Sequence, residues 1–319
     1  MTMRELAKLA NVSASTVSKA FGNAEDVSED TKELIFSLAK EHGCFNKFSK
    51  TKYSKLTVAI ICPEMKTPYY VEYVDKLQEI IEKNGGIALV SSDNFSAERQ
   101  AELIEYYSGH LKVDGIFVFH MNTDLKKGFS DTPIVAMLSS KDVRVDSVRI
   151  DFTAPLFEAI EHLYGLGHKN IVFIGEKLTV YKAERFEKIA RSFPIKHSFI
   201  TSQYRFEKAG EECVDKLLEM KDRPTAIICA YDNIALGAIK HLKAKGYGVP
   251  DDFSVIGINN ISPSSFLDTP LSTIDARPNE ICMIAWDLFE KKRKNKYYKL
   301  NQQITVKGQL LLRNTTKAI

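Results

Sequence analysis

The sequence predicts an α/β protein in which a short helical segment precedes a core of two similar lobes built on parallel sheets. Three observations carry that prediction. Residues 1–45 hold short helical patterns and no strand-like apolar run, whereas from Leu56 onward β-rich runs alternate with amphipathic helices. The run Thr57–Cys62 (TVAIIC) is apolar throughout, as a strand covered on both faces must be. The alternation restarts after Asp151, dividing the core into two units of about 100 residues. Strand, helix and strand at such short spacing imply right-handed crossovers and parallel pairing. Ligands of open α/β sheets gather at the carboxyl ends of strands, so the cleft between the lobes is the expected binding site.

At the N-terminus, Leu6, Ala7 and Ala10 form the apolar face of one short helix, and Val17, Ala20 and Phe21 that of a second. Two short helices joined by a tight turn have helix-turn-helix geometry. Small Ala7 and Ala10 permit a close crossing, and Asn11 occupies the turn position that favours a left-handed backbone. Ser13 is the expected N-cap of the second helix. The first turn of that helix exposes Ala14, Ser15 and Thr16, with Ser18 and Lys19 just beyond. Small and hydroxyl side chains at a helix N-terminus suit close approach to phosphates and base edges. Ser28 caps a third helix, Glu29 and Asp30 complement its dipole, and Leu34, Ile35, Leu38 and Ala39 are expected to face inward up to Gly43. Periodicity alone leaves a three-helix cap that touches no DNA equally open. Residues 46–55 are polar and basic and read as a linker or a conditionally folded segment.

In the core, Tyr70, Val74, Leu77 and Ile81 line a helix that stops at Gly85-Gly86. A strand at 87–90 follows, then Ser96 as the N-cap of a helix to about His110, then strands at Gly115–Phe119 and Ile134–Met137. Beyond Asp151, a face of Leu156, Phe157, Ile160, Leu163 and Tyr164 ends at Gly165, before a strand at 171–174. Further β-like runs stand at Ala226–Cys229, 254–258 and near 309–312, with a late helical stripe of Ile281, Ile284, Ala285, Leu288 and Phe289. The basic run 291–296 reads as a solvated loop.

Composition narrows the function classes. A chain of 319 residues, 44% hydrophobic and 27% charged, fits a soluble protein of two or three domains. No apolar stretch approaches the ~18 residues that span a bilayer. The N-terminus, with Arg4, Glu5 and Lys8 among its first eight residues, shows no apolar signal-peptide core, so a cytoplasmic protein is expected. The net charge of +3 does not by itself argue for nucleic acid. The five cysteines (Cys44, Cys62, Cys213, Cys229, Cys282) support neither a zinc site nor a disulfide framework. No phosphate-binding, dinucleotide-binding, hydrolase-elbow or H-E-x-x-H motif occurs, so an enzyme is the weakest class and no cofactor or metal is expected.

The run Ala7-Lys8-Leu9-Ala10-Asn11-Val12-Ser13, with Thr16-Val17-Ser18-Lys19, Val27-Ser28 and Thr31, resembles the DNA-binding domain of the lactose/galactose repressor family of bacterial transcriptional regulators. The likeness continues in the family's order through Leu163-Tyr164-Gly165-Leu166-Gly167-His168, Asp232-Asn233-Ile234-Ala235-Leu236-Gly237, Val249-Pro250-Asp251-Asp252-Phe253-Ser254 and Pro270-Leu271-Ser272-Thr273-Ile274 to Leu312-Arg313. It implies a headpiece at 1–45, a hinge at 46–55 and a periplasmic-binding-protein-like core. The core's first lobe would comprise 56–149 with 276–302, and its second 150–275 with 303–319. It also implies a homodimer that inserts each second helix into the major groove of a palindromic operator, acting as a repressor. By position, Ala14, Ser15 and Lys19 would read bases, and Ser13, Thr16, Ser18, Ser28 and Thr31 would hold phosphates. The chain's end soon after Arg313 favours a dimer over a larger assembly.

Two regions depart from the family pattern. The hinge usually supplies a leucine wedge for the minor groove, but neither register provides one here. Lys47, Lys50, Lys52 and Lys55 remain able to meet phosphates, and Tyr53 is the alternative wedge. In the cleft, Tyr69 and Tyr70 match the aromatic residues that pack on a ligand, or else open a helix as core residues. Leu138 stands where sugar-binding members carry a carboxylate. Lys182 replaces the clamping arginine, Arg185 a glycine, Tyr231-Asp232 an Asn-Asp pair, and Asn259 an aspartate; Phe186 alone keeps the pattern there. The loss of two acidic acceptors weakens the case for a neutral sugar. Lys182 and Arg185 suit an anion such as a phosphorylated metabolite, or are solvated charges, and Asp232 is equally a helix cap. A vestigial cleft, with constitutive repression or control by a protein partner, stays open beside effector control. A small-molecule binding protein without DNA function is disfavoured by the headpiece.

Overall fold

The computed structural model describes residues 1–22, 24, 26–48, 55–123, 132–139, 144–295, 298 and 300–319. These form two compact units, Met1–Leu56 and Thr57–Ile319.

In the first unit, α1 (Met3–Leu9), α2 (Ala14–Phe21), α3 (Glu29–Glu41) and the single turn α4 (Phe45–Phe48) enclose a small core. Ser13 and Ser28 cap α2 and α3 by accepting the N–H of Thr16 and Thr31, and Asn11 takes φ 52° in the turn. Leu6, Val17 and Ile35 are fully buried, each stabilising the unit by about 1.5–3 kcal/mol. Phe21 gathers the rings of Phe36, Phe45 and Phe48 at centroid distances of 5.1, 5.6 and 6.0 Å. Two expectations change. Leu34 is 49% exposed, while Lys32 lies along the core with its ammonium on Glu29; a long alkyl stem covers apolar surface as well as a leucine does. The unit also does not end at residue 45, because Phe48 is buried against Phe21 and draws the start of the supposed linker into helix.

The second unit opens with β1 (Thr57–Cys62), α5 (Pro68–Lys83), β2 (Ile87–Ser92), α6 (Ala97–Glu105, continued by a π-helical turn to His110), β3 (Gly115–Phe119), β4 (Ile134–Met137) and β5 (Asp146–Asp151). Its second lobe runs through α7 (Thr153–Gly165), β6 (Asn170–Glu176), α8 (Val180–Ala190), β7 (Lys196–Ser202), α9 (Phe206–Leu218), β8 (Ala226–Cys229), α10 (Asp232–Ala244), β9 (Ser254–Asn259) and β10 (Ser272–Asp275). Then α11 (Pro278–Lys294) and β11 (Gln303–Lys307) return to the first lobe, and β12 (Gln309–Leu311) ends in the second. The strand orders are β11-β5-β4-β3-β1-β2 and β12-β10-β9-β8-β6-β7. Pairing is parallel except for β12 on β10.

The lobe boundary therefore differs from the expected one. Residues 303–307 pair with β5, Ile304 opposite Val148, and belong to the first sheet, as does β5 to its end at Asp151. The chain crosses between lobes three times, and the crossings lie side by side. Gly308 donates to the Asp151 carbonyl at 3.0 Å, and a Cβ on Gly308 would stand 3.1 Å from the Asp275 carbonyl oxygen. The start of the basic run is the last turn of α11 rather than a solvated loop: Lys292 pairs at 2.9 Å with fully buried Asp146. Phe157 leaves the predicted core face, being 41% exposed and packed on Phe193. All five cysteines are free and buried. Among the described residues no helix is long and apolar enough to cross a membrane.

Candidate DNA interface and ligand cavity

The headpiece presents one polar face built from two helix starts. Val17, Ala20 and Phe21 anchor α2 inward, which leaves Ala14, Ser15, Ser18 and Lys19 exposed on the other side. The hydroxyls of Ser13 and Thr16 share a hydrogen bond of 2.8 Å, and those of Ser28 and Thr31 one of 2.7 Å. Each pair sits at the positive end of a helix dipole, where anions are stabilised. Lys19 pairs with Asp26, both side chains more than half exposed, and that hydrogen bond holds the Asp26 carboxyl below its usual range. Lys50, Lys52 and Tyr53 lie outside the described residues, as does the Lys47 side chain.

Between the two lobes of the second unit lies a cavity of about 560 Å³. Much of its lining comes from residues at strand ends: Glu64 after β1, His120 after β3, Leu138 after β4, Glu176 ending β6, Tyr231 after β8 and Asn259 ending β9. Tyr69 and Tyr70 join them from the first turn of α5, and Lys182 and Arg185 from one face of α8. The structure thus brings Tyr69, Tyr70, Leu138, Lys182, Arg185, Tyr231 and Asn259 together, and leaves out Phe186 and Asp232.

Both exceptions have a physical cause. Phe186 follows Arg185 by one residue, a turn of about 100° around the helix, and so faces the core, stacked on Phe173 at 5.4 Å. Asp232 is fully buried beneath the cavity floor, accepting the Ile261 N–H at 2.8 Å and the Thr273 hydroxyl at 2.6 Å. It ties down the loop that follows Asn259. Burial pushes its carboxyl up to about 7, against the pull of those two donors. Gly257 makes room for it, since a Cβ there would stand 2.1 Å from Asp232 Oδ1.

Sequence reasoning missed an ion pair that joins the lobes. Arg205, just before α9, donates to both oxygens of Glu64 at 3.0 and 3.1 Å, and its Nε lies 3.6 Å from Glu176. Tyr231 donates to Glu176 at 3.0 Å and accepts the Phe206 N–H at 3.0 Å, which fixes the corner carrying Arg205. On the opposite wall, the Tyr70 hydroxyl shares a 3.0 Å hydrogen bond with His120 Nε2. Burial lowers His120 to about 4, with a smaller contribution from Lys182, so the ring is neutral at pH 7. Lys182 donates to the Ala230 carbonyl at 2.9 Å, and burial, then Arg185, brings its ammonium down to about 8. Among the described residues no group of three or more His, Cys, Asp or Glu converges to hold a metal ion.

Two family models and several known proteins match this chain. The family described as bacterial regulatory proteins, lacI family, matches residues 2–44, and the periplasmic binding protein-like domain matches 160–316. The HTH-type transcriptional repressor PurR of Mannheimia succiniciproducens is 28% identical over 100% of this chain and 99% of its own length. Catabolite control protein A of Priestia megaterium is 27% identical over 91% of this chain and 92% of its own. Among solved structures, a LacI-family transcriptional regulator from Silicibacter pomeroyi superposes with a TM-score of 0.79 at 22% identity, covering 99% of both chains. The lac repressor dimer bound to operator and the anti-inducer ONPF gives 0.78 at 20% identity, covering 100% of this chain and 99% of that one.

Proposed function

Because the chain belongs to the lactose/galactose repressor family, we propose that it represses transcription as a homodimer on a palindromic operator, under control of a small molecule in the interlobe cavity. The chain is a DNA-binding transcriptional regulator. The observation that carries the proposal is the exposed first turn of α2, capped by Ser13 and fixed from behind by buried Val17 and Phe21. In the major groove, Lys19 meets a guanine edge, Ala14 a thymine methyl and Ser15 a base edge. Ser13, Thr16, Ser18, Ser28 and Thr31 hold phosphates, using hydroxyls and the free N–H groups of two helix starts. The cytoplasm is the compartment where such a protein meets its operator, and no catalytic step is part of the proposal.

Control by the cavity needs a difference in closure. A ligand moves the equilibrium only by as much as it prefers one lobe arrangement. The three adjacent crossings at Asp151, Asp275 and Gly308 form a narrow hinge on which the lobes can turn as bodies. The test is hydroxyl-radical footprinting of a selected duplex by the full-length protein, with the protomer count taken by sedimentation. Two protected half-sites about one helical turn apart, with two protomers per duplex, are expected. One protomer protecting a single half-site contradicts the dimeric reading.

A further inference from the structure

Resting on the reading of the interlobe cavity as the effector site, we infer that its ligand is a small organic anion with a flat apolar body, the charged group held between Lys182 and Arg185. Charge is the first reason. Of the cations lining the cavity, Arg149 donates to Gln303 at 2.8 Å, and Arg205 is matched by Glu64 and Glu176. Lys182 and Arg185, three residues apart on α8, are not matched in this way. Lys182 makes one hydrogen bond, to a carbonyl, and among the described residues Arg185 makes no hydrogen bond or ion pair. Asp151, the nearby acid that Arg185 influences, spends its Oδ1 on the Thr153 N–H at 2.8 Å. Two like charges side by side in a recess repel one another, and an anion between them removes that repulsion while satisfying their idle N–H donors.

The second reason is shape and polarity. Tyr69, Tyr70 and Phe95 line the cavity from the first lobe, and Phe152, Tyr181 and Phe206 from the second. Aromatic walls on both sides suit a ring or another flat apolar body. On the floor, Asn259 is 7% exposed with its Oδ1 lacking a hydrogen-bond partner, in a backbone held at φ 112°. An unmatched buried acceptor costs stability until a donor meets it, so the ligand also carries a hydroxyl or N–H on the side away from its charge. Leu138 lines the cavity as well, and offers apolar contact rather than a hydrogen-bond acceptor.

The experiment is calorimetric titration of the full-length protein with benzoate, phenyl phosphate, inorganic phosphate, benzamide and glucose. Benzoate or phenyl phosphate is expected to bind at least ~10-fold tighter than uncharged benzamide, and inorganic phosphate, lacking the ring, at least ~10-fold weaker than phenyl phosphate. The ratio of benzoate to phenyl phosphate distinguishes a carboxylate from a phosphate ester. Arg185→Gln and Lys182→Met are expected to weaken the anions about tenfold each, and Tyr69→Ala to weaken them as well. Binding of benzamide or glucose as tight as the anions, or no binding by any probe, overturns the inference. So does anion binding that Arg185→Gln leaves unchanged; if Tyr69→Ala also leaves it unchanged, the ligand lies outside the cavity and the effector-site reading falls with it.

Discussion

Removing one partner of the Arg205–Glu64 pair tests whether that contact latches the lobes. Glu64 is 6% exposed and follows β1 in the first lobe, and Arg205 reaches it from the second with two parallel hydrogen bonds at 3.0 and 3.1 Å. Hydrogen bonds to charged groups contribute about 1.5–3 kcal/mol, and a buried charge left without its partner costs about 3–5 kcal/mol. The Arg205 side chain is about one-third exposed, which screens the pair and places the loss on Arg205→Met nearer 2–3 kcal/mol. Glu64→Gln keeps a carbonyl acceptor and removes the buried charge, so roughly 1–1.5 kcal/mol is expected. The double variant leaves no orphaned charge and should be less destabilised than the sum of the two, by about 2 kcal/mol. Urea denaturation supplies all four stabilities, and small-angle scattering reads the lobes directly. Each single variant should show a larger radius of gyration than the parent. Additivity within ~0.5 kcal/mol together with an unchanged radius would refute the latch.

Other expectations follow from single contacts. Asp26→Asn frees Lys19 from its ion pair and removes a charge that repels phosphates, so operator affinity measured by anisotropy should rise severalfold. Gly257→Ala forces a Cβ to 2.1 Å from Asp232, and should lower stability by about 2–3 kcal/mol in chemical denaturation while weakening ligand binding through the Asn259 loop. For Asp232 the folded carboxyl sits at about 7, above its unfolded value near 3.8, so the folded state holds a proton that the unfolded state has lost. Stability from this group is therefore present at low pH and is lost as pH rises towards 7. Between pH 5 and 7 the loss amounts to roughly 2 kcal/mol, and Asp232→Asn should remove that slope.

The sequence made the outline legible where a local pattern decides the structure. TVAIIC read as a buried strand and is one, and Ser13 and Ser28 capped α2 and α3 because N-caps depend on the next three residues. Strands at sheet edges were harder. Along β11 (QITVK) every second residue is exposed, β7 (KHSFITS) is exposed at Lys196 and Phe199, and neither reads as a continuous apolar run. The position of β11 depends on pairing with β5, more than 150 residues away in sequence, which no local signal encodes. The cavity followed the same division. Lys182 and Arg185 were found through the family resemblance, but the same resemblance assigned Phe186 and Asp232 to the cavity, and helix phase and burial direct those two elsewhere. Glu64, His120 and Glu176 were missed, although each stands at the carboxyl end of a strand, the place that open α/β sheets reserve for ligand contacts. Their polar character at those ends was the available signal. The Arg205–Glu64 pair spans the lobes and had none.

Selection of bound sites from random duplex DNA, by the full-length protein and its Lys19→Ala variant at near-physiological salt, goes most directly to the assignment of α2 as the base-reading helix. A palindromic site recovered by the parent, with preference lost or relaxed at one symmetric pair of positions in the variant, is the expected result. No enrichment over non-specific binding, with or without small-molecule extract, or an identical site recovered by both proteins, would contradict it.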